Sequence, residues 1–196
     1  RIDPNVEPEA VAQVMKELIE EGKIKAWGIS ETDENYLRRA HAVCPVTAIQ
    51  NRYSMMARWH ENLFPVCAEL GITYVAFSPM ANGILSGQFT PQSAFEKGDF
   101  RNNMPQYQKE GYQKAEKLLS LLKDLAKKKN CTMAQLSLAW MLCKEDFIVP
   151  IPGSRKVNRL TENFEAQDVK LINYEIEKID ALLDSIDFDI FGGHSS

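Results

Sequence analysis

The constraint that most limits what this chain can fold into is an alternation of two periodicities. Short runs of β-branched and aromatic residues take turns with longer stretches whose apolar residues recur every three or four positions. Val11, Met15, Leu18 and Ile19 share one helical face, Lys16, Glu17, Glu20 and Glu21 the other, and Gly22 follows as a stop signal. Residues 24–29 read as a short buried strand. A helix carrying Tyr36, Leu37, Ala40 and Val43 comes next, with Thr32 or Asp33 available as its cap. The cycle repeats with a strand at 46–50, a helix at 61–70 closed by Gly71, a strand at 73–77, and a strand at 147–151 followed by a helix over 157–166.

Strands alternating with amphipathic helices predict βαβ units and an α/β fold with a parallel sheet under helices; all-α and all-β folds are excluded. The rhythm breaks between the third and fourth strands. A Gly-, Pro- and Asn-rich stretch at 79–108 reads as a long loop, either functional or disordered, and a helix with Ala115, Leu118, Leu119, Leu122 and Leu125 inward follows it. Thr132 and Gln135 then form a capping box at the head of the next helix, and a last helix over 174–186 takes Asn173 as its cap. No low-complexity segment or linker divides the chain, so residues 1–196 read as one domain.

Composition narrows the function. The 196 residues are 44% hydrophobic and carry 23 basic against 27 acidic side chains. A net charge of −4 offers no general positive field for a phosphate backbone, so nucleic acid is not an expected partner. The apolar runs are too short to span a bilayer, and the N-terminus shows no signal-peptide pattern, so a cytoplasmic protein away from membranes is expected. Cys44, Cys67, Cys131 and Cys143 lie far apart with no histidine at ligand spacing, so no metal site is predicted. His41, His60 and His194 have surface or capping roles. Trp59 and His60 follow the second strand, either on the surface or lining a substrate pocket. Lys127, Lys128 and Lys129 close a helix C-terminus.

In parallel α/β folds, ligands collect where strand C-termini meet helix N-termini. The four strand ends carry Gly28-Ile29-Ser30-Glu31, Gln50-Asn51-Arg52-Tyr53-Ser54, Phe77-Ser78-Pro79-Met80 running to Gly83, and Ile151-Pro152-Gly153-Ser154-Arg155 with Arg159, Glu162 and Asn163 beyond. There is no G-x-G-x-x-G and no P-loop. These phrases, in this order and over nearly the whole chain, resemble the aldo-keto reductases, (β/α)₈-barrel enzymes that use NADP(H) to reduce an aldehyde or ketone.

The resemblance implies that Ser30 and Gln50 fix the nicotinamide carboxamide. It places Glu31 where the family often has asparagine, and Phe77 where an aromatic ring meets the nicotinamide. Ser78, Pro79, Met80 and Gly83 match the turn that passes beneath the pyrophosphate. Gly153, Ser154 and Arg155 match the site of the adenosine 2′-phosphate, while Arg159, Glu162 and Asn163 match positions that hold phosphate and adenine.

The family's catalytic aspartate, tyrosine, lysine and histidine have no counterparts here. The opening Arg1-Ile2-Asp3-Pro4 matches the phrase directly after that histidine, and neither Tyr53 nor Tyr74 takes the tyrosine's part. A complete barrel needs roughly 250 residues. The expectation is therefore an N-terminally truncated, C-terminal half-barrel of about four βα units, with a small carbonyl compound as substrate. Self-association through exposed strand edges is expected as well. The alternative expectation is a non-catalytic NADP-binding or assembly module.

Overall fold

The computed structural model describes residues 1–190. The Phe191-Gly192-Gly193 tail and His194 lie outside the described residues. Four strands form one parallel sheet in sequence order: β1 (Gly28–Ser30), β2 (Ala48–Arg52), β3 (Thr73–Phe77) and β4 (Ile148–Pro150). The helices are α1 (Pro8–Glu20), α2 (Glu34–Val43), α3 (Phe64–Leu70), α4 (Lys109–Lys129), α5 (Met133–Leu142), α6 (Val157–Phe164) and α7 (Asn173–Asp184).

Most elements fall where the periodicity puts them, and the local chemistry says why. Asp33 caps α2 by accepting the Tyr36 N–H at 2.8 Å. Gly71 ends α3 in the left-handed conformation at φ 66°. In the capping box of α5, Thr132 Oγ1 accepts the Gln135 N–H at 3.1 Å and Gln135 returns the bond to the Thr132 N–H at 3.0 Å.

Several boundaries differ from expectation, and at three of them the hydrogen bonds show why. β1 is shorter than 24–29 because the N–H groups of Lys23 and Ile24 both donate to the Leu18 carbonyl, closing α1 before any strand can start. β2 begins later than residue 46 because the Val46 N–H donates to His41 Nδ1 at the end of α2. Asn173 lies inside α7 rather than capping it; the Glu175 carboxylate accepts the Ile172 N–H at 2.9 Å instead.

The two faces of the sheet meet different surroundings. Side chains alternate along a strand, and Ile49, Asn51, Tyr74, Ala76 and Ile148 point into the helical layer, each at most 3% exposed. The opposite face carries Gln50, Val75, Phe77 and Val149; Gln50 is exposed and Val149 is 47% exposed. Ile151, just beyond β4, is 42% exposed. β1 and β4 are the edge strands.

The stretch at 79–108 is more ordered than a long loop. It holds 3₁₀ turns at Ala81–Ser86, Phe100–Asn103 and Pro105–Tyr107. Arg101 braces it by lying over the rings of Phe89 and Phe95, at 5.0 and 4.4 Å. Arg101 also pairs with Asp99 and holds that carboxyl down at about 2.

Gly111 admits no side chain where α4 starts: a Cβ would sit 2.2 Å from the Pro105 carbonyl oxygen and 2.8 Å from Gln106 Cα. Helix propensity alone favours alanine over glycine by about 1 kcal/mol. Backbone atoms cannot yield as a flexible side chain can, so the clash outweighs it. Gly111→Ala is expected to destabilise the fold by about 2 kcal/mol, measurable as a lowered urea midpoint; an increase would show that the turn at 105–107 yields freely.

Candidate functional site

All four strands run the same way, so their C-terminal ends lie along one edge of the sheet. Register sets the neighbours there: Ser30 opposite Gln50, Gln50 opposite Val75, Arg52 opposite Phe77, and Ala76 opposite Pro150. The ladder continues past the strands through Glu31 N–H to the Gln50 carbonyl at 3.1 Å, Tyr53 N–H to the Phe77 carbonyl at 3.2 Å and Ile151 N–H to the Ala76 carbonyl at 3.0 Å.

Beyond β3 the backbone winds tightly. Ser78, Ala81 and Asn82 have φ of 52°, 47° and 61°, and Gly83 stands at 105°. Left-handed non-glycine residues in such a run are costly and persist only where surrounding contacts hold them. Here Gln106, fully buried, donates to the Asn82 side-chain oxygen at 3.1 Å, and the Tyr107 hydroxyl donates to the Asn82 carbonyl at 3.0 Å. Ser86 Oγ donates to the Gly83 carbonyl at 2.6 Å. A Cβ on Gly83 would approach Phe89 to 3.1 Å, so glycine serves this turn in both conformation and space.

A cavity of 480 Å³ opens between this turn and the end of β4. Ser78, Pro79, Met80 and Gly83 form one wall, and Gly153, Ser154, Arg159, Glu162 and Asn163 the other. Residues some 70 positions apart thus share one hollow. Arg159 reaches across to hydrogen-bond the Gln88 side-chain oxygen. Glu162 is fixed by the Thr132 hydroxyl, which donates to it at 2.7 Å. Ser154 Oγ accepts the Lys156 N–H at 3.1 Å and the Arg159 N–H donates to the Lys156 carbonyl at 3.1 Å, but no side chain caps α6 at the N–H groups of Val157 and Asn158 beside Arg159.

Five predicted residues lie outside this cavity. Arg155 is exposed, and Ser30, Glu31, Gln50 and Phe77 line the edge at β1–β3, meeting the cavity where Phe77 joins Ser78. Glu31 is committed elsewhere: one oxygen accepts the Arg52 main-chain N–H at 3.1 Å and the other pairs with Arg1 at 2.7 Å.

A model of the Aldo/keto reductase family matches residues 1–184. The chain belongs to the aldo/keto reductase family. It is 37% identical over 183 residues to Aldo-keto reductase str7 of Strobilurus tenacellus, covering 91% of this chain and 54% of that relative. It is 39% identical over 175 residues to Aldo-keto reductase yakc [NADP(+)] of Schizosaccharomyces pombe, covering 87% and 52%. The chain spans about half the length of the curated relatives it matches. The glycerol dehydrogenase AKR11B4 from Gluconobacter oxydans superposes with a TM-score of 0.87 at 21% identity, over 100% of this chain and 60% of that one, and so shares its fold.

Within this family member, two tyrosines on or beside the strands are sealed from solvent. Tyr53 and Tyr74 are fully buried, and burial pushes both hydroxyls far above the usual tyrosine range. Tyr53 donates to Glu61 at 2.7 Å, which raises it further. Trp59 lines a separate hollow with Met55, Met56 and Leu183. Among the described residues no cluster of His, Cys, Asp or Glu could hold a metal ion, and no helix is long and apolar enough to cross a membrane.

Sequence reasoning assigned no role to Asn51, Gln106, Phe100 or Arg101. The last two line the cavity from the 79–108 stretch, and nothing in their local pattern marks them. Asn51 is fully buried; its amide donates to the Thr32 carbonyl at 3.0 Å and accepts the Thr32 N–H at 3.3 Å. A polar residue flanked by Ile49 and Tyr53 was the available signal. Asn51→Ala would strand both buried backbone groups of Thr32, so a loss of about 2 to 4 kcal/mol is expected in chemical denaturation. A cost below about 0.5 kcal/mol would mean that this turn is not held by Asn51.

Proposed function

We propose that this chain supplies the cofactor-binding residues of an NADP(H)-dependent oxidoreductase that reduces an aldehyde or ketone to an alcohol. The observation that carries the reading is the convergence of the strained turn after β3 and the uncapped start of α6 on one cavity. The fit to a dinucleotide phosphate is chemical. Gly83 lets backbone approach closely, the free N–H groups of α6 attract anions, and Arg159 adds a forked charge suited to phosphate. The NADP(+) in the name of the Schizosaccharomyces pombe relative supports the same cofactor.

In this reading Ser78, Pro79, Met80 and Gly83 cradle the pyrophosphate, while Gly153, Ser154 and Arg155 take the 2′-phosphate. Arg159, Glu162 and Asn163 hold phosphate and adenine. Ser30 and Gln50 orient the nicotinamide carboxamide beside Phe77, and Glu31, engaged by Arg1 and the Arg52 N–H, positions the end of β1. A nicotinamide held by these residues would supply the reducing equivalent, and this reading assigns the proton of the new hydroxyl to neither Tyr53 nor Tyr74, both fully buried.

The four-stranded sheet serves as half of a (β/α)₈ barrel, within a single domain over 1–196. The uncovered face bearing Gln50, Phe77 and Val149 supports this, because a closed barrel covers that side. The edges β1 and β4 are the places where a second copy would pair if the chain is isolated. A cytoplasmic setting is part of this reading, on the few and widely spaced cysteines of the sequence.

Fluorescence titration tests the cofactor assignment. NADPH is expected to bind the folded protein more tightly than NADH. Arg155→Ala and Arg159→Ala are each expected to weaken NADPH roughly tenfold, about 1.4 kcal/mol, with Arg155→Ala leaving NADH unchanged. A folded protein that binds neither nucleotide would refute the assignment.

A further inference from the structure

Arg52 ends β2 on the sheet face turned away from the helical layer, opposite Phe77 in the register. The residue is only 8% exposed, and its guanidinium carbon lies 5.0 Å from the centre of the Phe77 ring. A guanidinium keeps its proton in proteins, so a full positive charge has been taken out of water. Such charges are ordinarily paired and fully hydrogen-bonded. Here Nη1 is buried without a hydrogen-bond partner among the described residues.

The carboxylate acting on Arg52 is Glu31, whose oxygens are engaged by the Arg52 main-chain N–H and by Arg1. Desolvation lowers the Arg52 pKa most, Glu31 opposes it, and Arg1 adds to it. Two cations and one anion therefore meet at the ends of β1 and β2, leaving a net positive charge against an aromatic ring.

We propose that Arg52 makes the site discriminate between the two redox forms of the nicotinamide, favouring the neutral reduced form over the cationic oxidised one. The inference rests on the reading above that Phe77 receives the nicotinamide. An aromatic ring has two faces, and Arg52 occupies one. A neutral dihydronicotinamide on the other face meets only the ring. An oxidised nicotinamide would set its positive charge against the guanidinium across Phe77, with little water between them to screen the repulsion. The same guanidinium draws on the ring's π electrons, which a second cation on the opposite face would have to share. Glu31 acts in the opposite sense, since its negative charge partly offsets Arg52. Arg52 is thus a positioning residue for charge rather than a group that takes part in bond making.

The test is a pair of calorimetric titrations, with NADPH and with NADP⁺, on the wild-type protein and on Arg52→Met, Arg52→Lys and Glu31→Gln, with melting curves for each. Arg52→Met is expected to shift the ratio of the two Kd values about tenfold toward the oxidised form, and Arg52→Lys to keep it within about twofold. Glu31→Gln is expected to move the ratio the other way, toward the reduced form. Opposite signs from the two charge removals cannot come from general loosening of the site. Should Arg52→Met fail to fold, Arg52→Lys and Glu31→Gln decide. An unchanged ratio in a folded Arg52→Met or in Glu31→Gln, or shifts of the same sign in both, overturns the proposal. If the wild type binds both forms and its ratio ignores these charges, this inference alone falls. If it binds neither, the cofactor reading falls and takes this inference with it.

Discussion

The parallel pairing of β2 with β3 is the constraint on which everything else in this molecule depends. Five residues of each strand pair in register, from Ala48 with Thr73 to Arg52 with Phe77. One face of that ladder is driven against the helices by Ile49, Tyr74 and Ala76, all fully buried. Because side chains alternate, burying this set commits Gln50, Arg52, Val75 and Phe77 to the other face. A slip of one residue would invert both sets, exposing Tyr74 and burying Gln50. The site therefore inherits its geometry from core packing.

Aromatic packing extends that ladder into the helical layer. Tyr53 stacks on Trp140 at 5.7 Å and meets Phe64 and Tyr74 edge-on. Trp140 Nε1 donates to Asp180, which ties α5 to α7. The polar ends of these rings are thus satisfied at the periphery while the rings fill the centre, as buried Tyr and Trp require. On the ligand side, strain and charge are concentrated instead: a run of left-handed residues after β3, an uncapped helix, and a guanidinium with an unfilled donor. Of the five described non-glycine residues with positive φ, four (Glu31, Ser78, Ala81 and Asn82) directly follow β1 or β3, where ligands are expected to meet the chain.

Much of this was legible in the sequence. The alternation of periods identified the parallel sheet, β3 matches its expected bounds, and the Thr132 capping box forms as its spacing requires. The boundaries of β1 and β2 were not legible because they depend on where Lys23, Ile24 and Val46 spend their N–H groups, a choice made by competing backbone acceptors. The stretch at 79–108 looked like a long loop because its order comes from distant side chains: Gln106 and Tyr107 on Asn82, and Arg101 over Phe89 and Phe95.

The sequence by itself determined the fold class, the ends of the strands where ligand-binding residues gather, and the family to which the chain belongs. These follow from local periodicity and from short phrases whose order along the chain is their information. Only the tertiary structure decided which of those residues share a cavity, that Arg155 stands apart from it, and that Glu31 is bound to Arg1 and the Arg52 N–H. It also decided that Arg52 lies buried beside Phe77 with its charge incompletely met. The physical reason is that burial and charge pairing are properties of neighbours in space, and the parallel crossovers bring those neighbours from elements roughly 20 to 70 residues apart.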